Sequence, residues 1–123
     1  MANINHKPSK YMLNLLHVIP PFVQDKDDVI SSIVEINKGS INKYETITES
    51  GQLKLDRVGY SSLAYPFAYG AIPQTWDYDG DPLDALLIID ESVPAGVLVP
   101  ARAIGVLNMV DDGEGDEKLI CVA

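Results

Sequence analysis

From residue 29 onward the chain is cut into short apolar and β-branched runs by glycine, proline, asparagine and serine. No stretch of this span sustains the 3.6-residue apolar period of an amphipathic helix. That punctuation excludes a helical bundle and directs the chain toward strands joined by tight turns. Residues 29–36 (VISSIVEI) are rich in β-branched side chains, which suit a pleated backbone. Asn37-Lys38-Gly39-Ser40 supplies turn chemistry, and residues 43–48 read as the returning strand. Ser50-Gly51 marks another reversal before 53–57 (LKLDR), where apolar and polar residues alternate. Further strands are expected over 84–89, 96–99, 102–110 and 118–122, with Pro94, Gly96 and Pro100 as punctuation. With 123 residues there is room for one domain. Many short strands at close spacing predict a mainly β fold, a small antiparallel barrel or sandwich.

Residues 1–28 read as a flank to a domain over 29–123. Their stretch NLLHVIPP ends in a Pro-Pro stop, and Asp25-Lys26-Asp27-Asp28 is an exposed polar turn. The chain closes on Leu119-Ile120-Cys121-Val122-Ala123, apolar with no polar tail. Further C-terminal sequence is therefore expected, and the domain reads as C-terminally incomplete.

Charge narrows the function. Eighteen acids against nine bases leave a formal −9, which argues against nucleic-acid backbone as a partner. Between Asp77 and Glu117 stand eleven acidic residues and a single base, Arg102. Crowded carboxylates repel one another unless cations bind, so the cluster is either a solvated acidic face or a metal site. The longest apolar runs, such as Ala85-Leu86-Leu87-Ile88-Ile89, are too short to span a bilayer. The N-terminus lacks the pattern of an export signal. A lone Cys121 excludes an internal disulfide and fits a reducing cytoplasm, the expected location.

The centre of the chain reads Asp77-Tyr78-Asp79-Gly80-Asp81-Pro82-Leu83-Asp84. In an extended segment Asp79 and Asp81 point the same way, roughly 7 Å apart at Cα. Pro82 biases Asp81 toward extended backbone and fixes the φ that follows, so these carboxylates are held on a stiff loop. Hard, oxygen-liganded cations such as Mg²⁺, Mn²⁺ or Ca²⁺ are the matching partners. An EF-hand calcium loop fails in both registers: from Asp77, Pro82 and Ile88 stand where Gly and Glu are required, and from Asp79, Asp84 and Asp90 do. The Asp-x-Asp of aspartyl-phosphate phosphatases needs an apolar strand before it, whereas Gln74-Thr75-Trp76 precedes it here. A second cluster, Asp111-Asp112-Gly113-Glu114-Gly115-Asp116-Glu117-Lys118, is either a solvated hairpin tip or a partner for the first. Lys43, Arg57, Tyr65 and Tyr69 are candidate phosphate contacts, each with a plain structural alternative as surface base or core tyrosine.

The stretch Asp79-Gly80-Asp81-Pro82-Leu83-Asp84 resembles the signature of soluble family I inorganic pyrophosphatases. The resemblance runs from about Val34 to Val122 through Val34-Glu35-Ile36, Lys43-Tyr44-Glu45, Asp56-Arg57, Tyr65-Pro66, Tyr69-Gly70 and Asn108-Met109-Val110-Asp111-Asp112. It implies a five-stranded barrel like the oligonucleotide-binding fold with few flanking helices, the family's C-terminal helices being absent. It implies Mg²⁺-dependent hydrolysis of pyrophosphate to two phosphates by metal-activated water, with several Mg²⁺ ions and Mn²⁺ as a substitute. By the same resemblance Asp79, Asp84, Asp111 and Asp116 match metal ligands, and Asp81 matches the carboxylate that takes the proton of the attacking water. Lys43, Arg57 and Tyr69 match substrate-phosphate contacts, Tyr65 and Lys118 further polar groups of the cavity, and Glu35 and Glu45 its outer acidic wall. The family's downstream Tyr-Lys phosphate-binding pair lies beyond the last residue here. Its members assemble as dimers or hexamers, which implies a homo-oligomer. The competing reading is a non-enzymatic β module that binds divalent ions.

Overall fold

The computed structural model describes residues 14–59, 66–76, 80–111 and 113–123, with backbone alone for Asp111 and Glu114. A short helix, α1 (Leu15–Val18), precedes seven strands: β1 (Val29–Ile36), β2 (Lys43–Thr46), β3 (Leu53–Arg57), β4 (Ala68–Ile72), β5 (Leu83–Ile88), β6 (Leu98–Asp111) and β7 (Glu114–Val122). Five of them close a barrel in the order β1-β4-β5-β7-β6, and β2 and β3 form a separate two-stranded sheet. The mainly β, five-stranded architecture agrees with expectation. Its expected antiparallel character needs one correction, because β5 and β7 run parallel, with Asp84 opposite Lys118. Strand directions cannot alternate all the way around a closed ring of five, so one parallel pair is unavoidable.

Three differences from the expected strands have local causes. β4 is absent from the sequence reading because Ala68-Tyr69-Gly70-Ala71-Ile72 carries little β-branching. Its small residues answer a packing need: a Cβ on Gly70 would lie 2.4 Å from Ser32 Oγ and 2.9 Å from the Ile33 carbonyl oxygen. The runs expected over 96–99 and 102–110 are one strand, β6, which passes through Pro100. Pro100 pairs with Ser31, whose N–H points away from β6 to the Pro21 carbonyl at 2.9 Å. The ladder therefore asks no donor of Pro100 on that side. Strand β7 begins at Glu114 and not at Lys118, because the β6–β7 turn is tight enough for Asp111 to pair with Glu114.

Ile30, Val34, Ala68, Ile72, Ala85, Leu87, Val99, Ala101 and Cys121 form the core. Since side chains alternate across a strand, the inward Ala68, Ala85 and Leu87, and Cys121, send Tyr69, Asp84 and Lys118 to the outer face. β1 is buried almost throughout because material lies on both of its sides. Residues 14–28 supply part of that cover: Phe22 bridges Ile30, Leu16 is 1% exposed, and its carbonyl accepts the Gln74 N–H at 2.8 Å. No helix among the described residues is long and apolar enough to cross a membrane.

Candidate active site

Outside the barrel, β2 of the two-stranded sheet and the outward residues of β4, β5 and β7 line one open cavity of about 540 Å³. Glu35, Lys43, Glu45, Tyr69, Asp81, Asp84, Asp116 and Lys118 all line it. The register explains the meeting of residues remote in sequence: Asp84 lies opposite Ala71 on one side and Lys118 on the other, and Asp116 lies opposite Met109.

Lys118 sits at the centre of the charges. Its Nζ donates to the Tyr69 hydroxyl, to Asp84 Oδ2 at 3.0 Å and to Asp116 Oδ1 at 3.3 Å, and lies 5.0 Å from the Tyr69 ring centroid. Burial works against the charge on Lys118, but the hydrogen bonds and charges of Asp84 and Asp116 outweigh it and hold its pKa above the ordinary lysine value. Burial pushes the Asp84 carboxyl up, and the hydrogen bonds from Lys118 and Tyr69 only partly oppose it. Burial, then the charge of Asp84, push the Tyr69 phenol up, so it remains protonated at neutral pH.

Glu35 reaches the same cavity from β1, where the register with β4 shifts between Val34 and Ile36. Such a bulge re-aims a side chain. One of its oxygens, Oε2, accepts both the Thr46 backbone N–H at 3.0 Å and Thr46 Oγ1–H at 2.9 Å. The residue is 9% exposed. Burial pushes its carboxyl up to about 7, against the lowering effect of the Thr46 hydroxyl and with some help from the charge of Asp84.

This pKa has a consequence for stability. A carboxyl whose folded pKa lies above its ordinary 4.5 contributes stability that is complete below 4.5 and lost as pH rises through 7. The interval corresponds to about 3 kcal/mol. In cation-free buffer, Glu35→Gln keeps an oxygen for Thr46 and has no charge to bury. Urea unfolding should therefore show it gaining roughly 2–3 kcal/mol on the unaltered chain between about pH 4 and about pH 8. A difference that stays flat across that range would contradict the assignment.

On the β2 side of the cavity, Lys43 Nζ lies 3.1 Å from Glu45 Oε1 and 3.7 Å from Asp56 Oδ2. Arg57 is paired with Lys43 across the β2–β3 ladder and lies 3.7 Å from Asp56, but it does not line the cavity. Asp79 and Tyr65 lie outside the described residues, as does the side chain of Asp111, whose backbone ends β6. Thr46 and Met109 line the cavity without having been singled out as site residues. For Thr46, its place directly after Lys43-Tyr44-Glu45 on the same strand is the one sequence signal.

The donor chemistry suits a hard cation. Carboxylate oxygens from Glu35, Glu45, Asp81, Asp84 and Asp116 face one space, with two lysines, two tyrosines and a threonine as the other polar groups. Asp84 and Asp116 converge within hydrogen-bond reach of a single point, at present the Lys118 ammonium. Among the described residues no third acidic, histidine or cysteine group joins them there.

Residues 32–123 match the Pyrophosphatase family, described as inorganic pyrophosphatase. An inorganic pyrophosphatase of Picrophilus torridus is 48% identical over 106 residues, covering 86% of this chain and 59% of its own length. One of Streptomyces coelicolor is 52% identical over 89 residues, covering 72% and 55%. Among solved structures, the inorganic pyrophosphatase from Thermus thermophilus superposes with a TM-score of 0.80 at 40% identity, covering 89% of this chain and 62% of that one. The chain thus spans between 55% and 62% of the length of these three relatives.

Proposed function

The chain belongs to the inorganic pyrophosphatase family, and on that premise we propose that it hydrolyses inorganic pyrophosphate to two phosphates with Mg²⁺, Mn²⁺ being a substitute. The supporting observation is the single cavity that combines five carboxylates with Lys43, Lys118 and Tyr69. A carboxylate nest alone repels a polyanion, and lysines alone have no use for so many acids beside them. Both together suit a substrate that arrives with cations.

Asp84 and Asp116, with Asp79 and Asp111, would hold the ions. Bound Mg²⁺ supplies the positive charge that neutralises these carboxylates and polarises phosphoryl oxygens and water. Lys43, Tyr69 and Lys118 contact phosphate oxygens, with Arg57 and Tyr65 as further contacts and Glu35 and Glu45 as an outer acidic wall. Asp81 accepts a proton from water as its oxygen attacks one phosphorus and the bridging P–O bond breaks. The leaving phosphate carries away the bridging oxygen, and its growing charge is met by the lysines and Arg57. No covalent intermediate on the protein is required. A cytoplasmic setting and self-association complete the reading, the first supported by a lone Cys121 buried in the core and the second by family analogy alone.

The test is phosphate release from pyrophosphate and Mg²⁺. It is run on this chain and on the chain extended by the segment of the Picrophilus torridus relative that lies beyond the matched region. Release of two phosphates per pyrophosphate by either supports the proposal. Silence of both, with Mg²⁺ still bound, overturns it in favour of an ion-binding β module.

A further inference from the structure

The β2–β3 sheet is not hydrogen-bonded into the barrel ladder, and a two-stranded sheet by itself is marginally stable. It nevertheless carries Lys43 and Glu45 to the cavity. At its turn end it is moored by Asn14, whose Nδ2 donates to the Thr48 carbonyl at 2.9 Å and whose side chain abuts Gly51. Two residues before Thr48, where β2 enters the turn, Thr46 sends two donors to one oxygen of Glu35, a residue seated on the barrel itself. Thr46 also borders a second cavity of about 300 Å³, lined by Leu16, Ile33 and Leu53, so side-chain packing behind it is thin. Hydrogen bonds must therefore do what packing does elsewhere, and two donors on one desolvated oxygen leave neither group unsatisfied.

We propose that Thr46 is a positioning residue: by clamping Glu35 it sets the distance between the β2–β3 sheet, with Lys43 and Glu45, and the barrel wall that carries Asp84 and Lys118. Its functional part rests on the pyrophosphatase reading. Thr46→Val keeps shape and backbone N–H but loses the hydroxyl donor, and Thr46→Ser restores that donor.

Hydrogen exchange on the intact chain reads the clamp without any turnover. Thr46→Val should speed amide exchange in β2 and β3 by about tenfold, with β4 and β5 unchanged, and Thr46→Ser should stay close to the unaltered chain. In phosphate release, Thr46→Val should raise KM several-fold with little change in kcat, because Lys43 is displaced before and during the reaction alike. Unchanged exchange in Thr46→Val, failure of Thr46→Ser to restore it, or equal loosening of β4 and β5 would each overturn the proposal. If the sheet loosens selectively while neither the unaltered chain nor its extended form releases phosphate, the clamp stands and the pyrophosphatase reading falls.

Discussion

In buffer free of divalent cations, Lys118→Met should lose about 3–5 kcal/mol of folding stability, the usual cost of stripping the partner from a buried charge. Lys118 is 13% exposed at its side chain, and Asp84 and Asp116 are 27% and 20% exposed. Without the ammonium, those two carboxylates face each other with little solvent between them. Two further outcomes follow from the same geometry. Added Mg²⁺ should recover part of the loss, because it offers the positive charge that the lysine no longer does. Acid should do so too: Asp84 already has a raised pKa, and a carboxyl raised in the folded state favours folding at low pH and loses that advantage as pH rises. Urea unfolding with chelator, with Mg²⁺ and at acid pH measures all three. A chelator-only loss below about 1 kcal/mol would make this an ordinary surface ion pair.

Asp81→Asn addresses the chemistry. In a form that turns over pyrophosphate, it should cut kcat by about 10²–10⁴-fold, the span expected for a positioned proton acceptor. Mg²⁺ affinity, read by calorimetry, should change by less than about threefold, because the proposed ligands of the ions are Asp79, Asp84, Asp111 and Asp116 and not Asp81. Asparagine keeps the size and an oxygen but cannot take the proton. A loss of Mg²⁺ affinity as large as the loss of turnover would instead make Asp81 a primary ligand.

Much of the barrel is legible along the chain. β1 and β3 fall on the runs 29–36 and 53–57, because β-branched or alternating residues between turn signals leave few other backbone options. β4 was hidden for the opposite reason: its glycine and alanines suit close approach to β1, a demand made by a neighbour and not by local propensity. Pro100 looked like a break until the register put its nitrogen where no donor is needed. The site divides in the same way. The crowding of Asp79, Asp81, Asp84, Asp111 and Asp116 in sequence marks a concentration of negative charge, either a solvated face or a metal site, since local charge is additive and needs no fold to be counted. The ammonium between Asp84 and Asp116 and the grip of Thr46 on Glu35 have no such trace.

What the linear chain determined is therefore the short strands, the turns between them and a concentration of negative charge. The tertiary structure alone decided that Asp84 and Lys118 face each other across a parallel pair, that Glu35 is turned by a bulge toward the cavity, and that β2 of a two-stranded sheet lines it. The physical reason is range. Backbone preference and charge density act over a few residues, whereas strand register and desolvation depend on partners 11 residues away for Glu35 and Thr46 and 34 for Asp84 and Lys118.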